Sequence, residues 1–297
     1  MANGKYTGFR KETSVLNQFF QKQLVSGPVS RYKSLKLRLG SKFGYNFRKG
    51  IVTCGTVARC QTVSHLISSK RTHMKKEALE NAPKFRFWKQ QAESNGLKIN
   101  NVEEFYTRRR HNGEILFAML EVDADTPEGD KIPPALFLKG HAVSVLVCLI
   151  DQETKEKYVV LVRQRRICDG SHTYEHPAGM VDASDDPAEV AAREVREEIG
   201  LAVQPEALTR LIAGLCYPST GTSDEAMHYY YVERELPRAQ IMEFHHKDMG
   251  VASEFERITT AVTTLPEAHK LITNINGLLI HFLYLQAVGD YETMKLL

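Results

Sequence analysis

Residues 186–201 read DPAEVAAREVREEIGL, and this stretch constrains the chain more than any other. Asp186 is a natural helix N-cap, Pro187 suits the first helical position, and Glu189 follows Asp186 by three residues in a capping-box-like arrangement. Gly200 supplies the C-terminal stop, so the spacing predicts a helix over Pro187–Ile199. Within it, Glu194, Glu197 and Glu198 stand three and four residues apart, which gathers three carboxylates near one helical face. Like charges at that spacing repel by about 0.2–0.5 kcal/mol per pair. A structural helix interleaves lysines between such acids; here Arg193 and Arg196 relieve only part of the repulsion. Clustered carboxylate oxygens suit a hard divalent cation such as Mg²⁺, with waters and substrate phosphates completing the shell. The duller alternative is a solvated acidic face, and the flanking sequence decides between them.

Strands are expected on both sides of this helix. Residues 141–150 and 157–165 are β-branched apolar runs separated by the polar turn DQETKE, which reads as two neighbouring strands. Leu211–Cys216, Met227–Val232 and Ile258–Val262 read as further strands. Alternation in the second of these puts Tyr229 and Tyr231 on one face and His228 and Tyr230 on the other. Pro266 opens a helix, and Asn276 is placed to cap a last one over 278–288. Upstream, a helix is expected over Glu77–Ser94, strands near Val102–Tyr106 and Ile115–Val122, and a loop over 123–134 from its Asp, Gly and Pro content. The fold class is therefore a mixed α/β layer fold, with a small β-rich subdomain over 77–140 ahead of a main domain over 141–290. No GxGxxG follows a strand, so dinucleotide binding of the Rossmann type is not supported.

Charge divides the chain. The total of +3 hides 16 Lys/Arg against the single acid Glu12 in residues 1–76, with the acid excess lying beyond them. That leader is rich in Lys, Arg, Ser and Phe and lacks an apolar h-region, as in a mitochondrial or other organellar transit segment or a flexible basic arm. Without an address there, the chain would be cytoplasmic. No nucleic-acid module accompanies the basic charge, so nucleic acid is not the expected partner. Five cysteines form no CxxC pair, which argues for a reducing compartment. No apolar stretch approaches the roughly 20 residues of a membrane span. His245-His246 reads as a polar surface pair.

Read from Gly179, the central stretch is G-x5-D-x7-R-E-V-x-E-E-x-G-L. It closely resembles the Nudix box, G-x5-E-x7-R-E-U-x-E-E-x-G-U with U aliphatic. Gly179, Arg193, Glu194, Val195, Glu197, Glu198, Gly200 and Leu201 match it; Asp185 stands one methylene short of the family glutamate. Flanking motifs resemble the ADP-sugar and ADP-ribose pyrophosphatase group. Arg163-Gln164-Arg165-Arg166 resembles R-Q-Y-R, and Glu175-His176-Pro177-Ala178-Gly179 resembles E-L-P-A-G. Residues 219–225 resemble S-P-G-F-S-D-E, Pro218 lies 17 residues after the box, and 254–258 resemble an acidic E-x-E-x-I loop. The likeness runs from about residue 80 to 288, is nearest the plant-type ADP-sugar diphosphatases, and leaves residues before about 77 uncovered.

The resemblance implies a Nudix α/β/α sandwich and a reaction. Mg²⁺, or Mn²⁺ in its place, is the implied cofactor. Glu194 and Glu198 would ligate metal, with Glu197 as an additional or bridging ligand and Ala178 offering its carbonyl. Glu254 or Glu256 would activate the attacking water, Glu254 being favoured. Glu225 would sit near the metals or the sugar-side phosphate, and Arg166 and Glu175 would help hold substrate. Asp185 would brace Arg193, and Gly179 and Gly200 shape the loop and the helix end. The implied reaction splits an ADP-sugar into AMP and sugar 1-phosphate. Relatives dimerise through the N-terminal subdomain, so a homodimer is expected, with Phe105, Tyr106 or Phe117 near the base. Other Nudix substrates (UDP-glucose, a dinucleoside polyphosphate, an RNA cap) are the alternative, followed by a non-catalytic nucleotide sensor.

Overall fold

The computed structural model describes residues 77–182, 185–250 and 257–297. The basic leader and Glu254 and Glu256 lie outside them. Pro83 decides how the chain enters the fold. A proline disfavours helical geometry in the residue before it, and Ala82 is extended at φ −63° and ψ 123°. The helix expected over Glu77–Ser94 is therefore split into a 3₁₀ turn, Leu79–Asn81, and α1 (Pro83–Ser94). Next come β1 (Lys98–Arg109), β2 (Ile115–Asp125) and β3 (Ala135–Leu138), an antiparallel sheet in that order. β1 and β2 run longer than expected, and the loop starts only after Asp125. Lys98 pairs with Asp125 in register, and Lys131 lies 2.6 Å from both Asp123 and Asp125. Alternate residues of β2 (Ala118, Leu120, Val122, Ala124), with Ile115 at its start, pack with Leu79, Phe85 and Leu138 as a core separate from the main one.

The main sheet begins with the expected hairpin, β4 (His141–Asp151) and β5 (Lys157–Arg165). β6 (His172–Glu175) pairs with β5 and β7 (Ala178–Met180) with β4. Then follow α2 (Pro187–Ile199), β8 (Thr209–Arg210), β9 (Ala226–Leu236), α3 (Arg238–Met242), β10 (Asp248–Met249) and β11 (Ile258–Thr264). The order is β10-β11-β5-β4-β9-β8. β4 and β9 are parallel and their neighbours antiparallel, which makes the sheet mixed. The chain closes with α4 (Leu265–Leu271), α5 (Ile275–Val288) and α6 (Tyr291–Met294).

Central strands are apolar on both sides because both faces are covered. Val143, Val145, Val147 and Leu149 face Val190, Ala191, Val195 and Ile199 of α2. Ala142, Leu146 and Cys148 face Leu265, Ala268, Ile280 and Tyr284 of α4 and α5. This is the α/β/α sandwich. It also explains how α2 tolerates its acids. Each fully buried Val or Ile contributes about 1.5–3 kcal/mol, well above the few tenths lost per glutamate pair.

Two local expectations fail. Leu211–Cys216 is not a strand: β8 ends at Arg210, one further backbone bond runs from the Leu211 N–H to the Tyr229 carbonyl at 2.8 Å, Arg210 Nε donates to the Ile212 carbonyl at 2.9 Å, and Cys216 keeps a single bridge to Met227. The last helix is capped by Asn274, not Asn276. Asn274 accepts the Gly277 N–H at 2.8 Å, while Asn276 accepts from the Tyr229 hydroxyl at 2.8 Å.

Candidate active site

The helix bearing the acids ends where its sequence says it should. Asp186 accepts the Ala188 N–H at 2.8 Å; the bond runs to Ala188 and not reciprocally with Glu189. Gly200 sits at φ 77°, the left-handed conformation that closes a helix without a Cβ penalty. β7 feeds α2 from the sheet, with Ala178 opposite Ser144 and Gly179 opposite Val143 on β4. This brings the acids of α2 back onto β7. A Cβ at Gly179 would stand 2.2 Å from both Cδ and Oε1 of Glu194. The Glu194 carboxylate therefore occupies the space that any side chain at position 179 would need.

Glu198 is 3% exposed, and its Oε2 accepts the Ala178 N–H at 3.0 Å. A buried carboxylate is costly unless hydrogen-bonded, so this backbone donor sets its position. The contact of Ala178 with α2 is thus through its N–H. Glu197 is the more exposed of the three: its side chain is 39% exposed and lies 3.9 Å from Arg196. Arg193 lies between Asp185, at 4.0 Å, and Glu194, at 3.5 Å. The pairing of Asp185 with Arg193 is present, though long.

Arg166 and Glu175 meet each other. Arg166 Nε and Nη2 donate to the two carboxylate oxygens of Glu175 at 2.9 and 2.8 Å, and Thr173 Oγ1 donates to Oε1 at 2.5 Å. Burial opposes ionisation of Glu175, but the Arg166 fork and Thr173 outweigh it and hold the carboxyl below its usual range. Glu225 accepts from Lys139 Nζ at 2.5 Å. Beside it, Asp224 accepts the backbone N–H groups of Lys139 (2.6 Å) and Gly140 (3.1 Å). Burial raises the Asp224 pKa despite those bonds. Nothing in the sequence spacing marks Lys139 or Asp224 as partners, because their contacts join residues 85 and 86 positions apart; Thr173 and Glu175 are two apart on β6 and so share a face.

A chain of three imidazoles also escapes the sequence. His176 Nε2 lies 2.8 Å from His281 Nε2, and His281 Nδ1 lies 3.1 Å from His269 Nδ1. These rings tie the β6–β7 connection to α5 and α4. The one available signal is that His176 stands where the E-L-P-A-G pattern has leucine. Burial, with His281 alongside, holds His176 far below the ordinary histidine range. Of the expected surface pair His246 is exposed, whereas His245 is half-buried and accepts the Val262 N–H at 3.0 Å, where the segment after α3 runs beside β11 and His246 and Lys247 share backbone bonds with Thr260. Phe105 and Tyr106 are exposed beside a register shift in β1, and Phe117 packs edge-on against Phe137 at 5.4 Å.

The donors at Glu194 and Glu198 are oxygens, the set a hard cation takes. Among the described residues no three His, Cys, Asp or Glu side chains converge on one point. Mg²⁺ binds through one or two carboxylates, keeps its waters and relies on substrate phosphates instead of an all-protein cage. The residues present fit such an ion.

Residues 140–265 match the family model of the NUDIX domain. The chain is 34% identical over 144 residues to Nudix hydrolase 14, chloroplastic, of Arabidopsis thaliana, covering 45% of each chain. It is 32% identical over 143 residues to the ADP-ribose pyrophosphatase of Haemophilus influenzae, covering 46% of this chain and 59% of that one. It is 28% identical over 111 residues to the CMP-5'-(N-acetyl-N-hydroxy-3-aminopropyl)phosphonate hydrolase of Streptomyces rubellomurinus, covering 37% of this chain and 50% of that one. The matches span about half the length of these curated relatives.

Proposed function

We propose, from the match of residues 140–265 to the NUDIX domain model and the likeness to the relatives above, that the chain is a Nudix hydrolase that splits the pyrophosphate bond of a nucleoside diphosphate sugar. The substrate is of the ADP-ribose or ADP-glucose type and yields AMP and a sugar phosphate, with Mg²⁺ or Mn²⁺ required. The observation that carries this is the seating of Glu194 against the bare Cα of Gly179 beside the buried, backbone-held Glu198. Two carboxylates are thereby fixed at one end of the sheet, where they hold the cation. When bound, the cation neutralises phosphate oxygens and lowers the pKa of a bound water. Glu197, at the edge of this pair, is the additional ligand. Glu254, or Glu256 in its stead, takes the proton of the attacking water as the bond between phosphorus and the bridging oxygen breaks. Arg166, aligned by its fork with Glu175, faces the substrate phosphates, and Lys139 with Glu225 marks the sugar side. The motifs flanking the box and the name of the Haemophilus relative support an adenine nucleotide and a plant-type ADP-sugar diphosphatase.

The chain acts as a homodimer in this reading, joined through the N-terminal sheet. Tyr106 and Met119 are cross-strand neighbours there and are about half exposed, 54% and 45%. Light scattering checks this: a monomer with full activity removes it. Residues 1–76 direct the chain to an organelle, which a fusion of that segment to a fluorescent protein tests.

The decisive experiment is a panel of ADP-ribose, ADP-glucose, UDP-glucose, a CMP-linked phosphonate and a capped RNA, with products identified chromatographically. Mg²⁺-dependent AMP release from an ADP-sugar is the expected result. No turnover of any member overturns the hydrolase reading. Preference for capped RNA, lost on removing residues 1–76, replaces the substrate.

A further inference from the structure

We infer that His281, hydrogen-bonded to His176 on one side and His269 on the other, is a positioning residue for the reaction: it pins the two-residue link between β6 and β7 and so sets Glu175 and Ala178, which flank that link. The inference rests on the hydrolase reading above.

The link is His176-Pro177, and groups that reading uses stand on both sides of it. Glu175 aligns Arg166 before the link, and the Ala178 N–H holds Glu198 after it. Pro177 has no N–H to donate and restricts the backbone of the residue before it. Its carbonyl accepts the Val145 N–H at 2.9 Å, which ties the link to β4. On the opposite side the tie is the His176 side chain. It is 2% exposed and meets His281, which is fully buried, at 2.8 Å between the two Nε2 atoms, with the ring planes 87° apart. His281 lies on the buried stripe by which α5 packs on the sheet. α5 reaches β6 a second time through its cap, where Asn274 Nδ2 donates to the Tyr174 carbonyl at 3.4 Å.

Ring protons give the clasp a direction. Burial keeps His281 neutral, with one ring proton for two nitrogens. Both nitrogens are engaged, Nε2 with His176 and Nδ1 with His269 at 3.1 Å. One must donate and the other accept. Among the described residues His176 Nδ1 has no hydrogen-bond partner. If His281 donated to His176, the His176 proton would be stranded on that buried Nδ1, and orphaned buried N–H groups are rarer than unmet acceptors. The arrangement is therefore the reverse: His176 Nε2–H donates to His281, and His281 Nδ1–H donates to the half-buried His269.

The same atom argues against a proton path. A relay needs a partner at its inner end, and here the chain of rings stops at Nδ1. What the rings supply is position. In the E-L-P-A-G pattern a leucine at this place is held by packing alone. A polar ring at 176 needs a polar residue opposite, which makes His176 and His281 a matched pair.

The test is a mutant cycle in the full chain: His176→Leu, His281→Leu and the double variant. ADP-sugar hydrolysis is followed across a Mg²⁺ titration, well below the lowest melting midpoint. Either single change leaves a buried imidazole facing an apolar chain, so the link shifts. A fall in kcat of about tenfold is expected, with a raised Mg²⁺ requirement, which loss of stability alone does not produce in folded protein. The double variant removes both polar groups and should recover most of the loss. Proton NMR reads the clasp without metal or substrate: two slowly exchanging imidazole N–H signals in the wild type, both absent from His281→Leu. Should His281→Leu misfold, His281→Gln, whose amide accepts and donates, takes its place in the cycle and should retain more turnover than His176→Leu. Wild-type kcat and Mg²⁺ dependence in the single variants, losses that simply add in the double, or absence of both signals from the wild type overturns the inference and leaves the hydrolase reading standing. No hydrolysis of any nucleotide sugar by the wild-type chain fells that reading, and the role of His281 with it.

Discussion

Replacing Gly179 with alanine adds one methyl group and separates stability from activity. The new Cβ would lie 2.2 Å from Cδ and Oε1 of Glu194 and 2.6 Å from its Cγ. Ordinary carbon–carbon contact is about 3.5 Å, so the Glu194 side chain must retreat by about 1.3 Å. The backbone at 179 is not in the left-handed region, so alanine strains nothing there. The colliding atoms belong to the end of a flexible side chain, which swings aside cheaply. Overpacking costs about 1–3 kcal/mol, and the low end applies here, a fall in Tm of about 2–4 °C for a domain of this size. Activity pays differently. Displacement of a metal-holding carboxylate by about 1 Å costs about 100-fold in rate. The assay is steady-state hydrolysis of an ADP-sugar across a Mg²⁺ titration, beside a thermal melt. A drop of about 100-fold in kcat and a raised Mg²⁺ requirement are expected. Adding Glu194→Asp, which withdraws the carboxylate by one methylene, should restore part of the loss. Wild-type kcat in Gly179→Ala at saturating Mg²⁺ would refute the assignment of Glu194.

The remaining expectations concern neighbouring contacts. Glu198→Gln keeps an oxygen for the Ala178 N–H but loses the anionic ligand, so turnover should fall by roughly 100-fold or more while the melt stays near wild type; undiminished turnover at high Mg²⁺ contradicts this. Asp185→Ala removes a long, partly exposed ion pair with Arg193, so a stability loss below about 1 kcal/mol and a small drop in turnover are expected, and no change in either abolishes the bracing role. Burial, with His269 beside it, holds His281 down to about 3. Burial, with His141 and Arg210 nearby, holds His228 down to about 4. The unfolded chain protonates both near 6.5 while the folded chain refuses the proton, so stability is full above about pH 6.5 and falls as the pH drops toward 4 and then 3. Melts at constant ionic strength should show this slope and a shallower one in His281→Leu; identical slopes count against a buried neutral chain.

Residues 186–200 show how much can be read locally. The Asp186 cap, Pro187, the apolar stripe and Gly200 all act within one helix, through bonds spanning four residues or fewer, so Pro187–Ile199 is legible from spacing. Strands β4 and β5 are legible for the same reason: a short polar turn joins two β-branched runs. Failures occur where a local preference meets a distant partner. Asn276 is as good a cap as Asn274 by type, but Tyr229, on a strand, claims its side chain. Among the three glutamates, helical spacing makes near-equals of positions that burial separates: Glu198 is sealed in, Glu194 lies against Gly179, and Glu197 is left at the surface.

The sequence by itself determined that a capped, amphipathic helix would carry three carboxylates between two sets of strands. Tertiary structure alone decided which carboxylates lie against β7, that Arg166 and Glu175 hold each other, that three histidines line up behind the β6–β7 crossing, and that α1 closes a cavity against the 217–224 loop. The reason is physical. Caps and helical faces depend on neighbours a few residues away, whereas these contacts join residues 9 to 105 positions apart through the pairing of strands and the packing of helices on the sheet. A side chain's partner across a sheet is set by strand order and register, and neither is written in the spacing of any one segment.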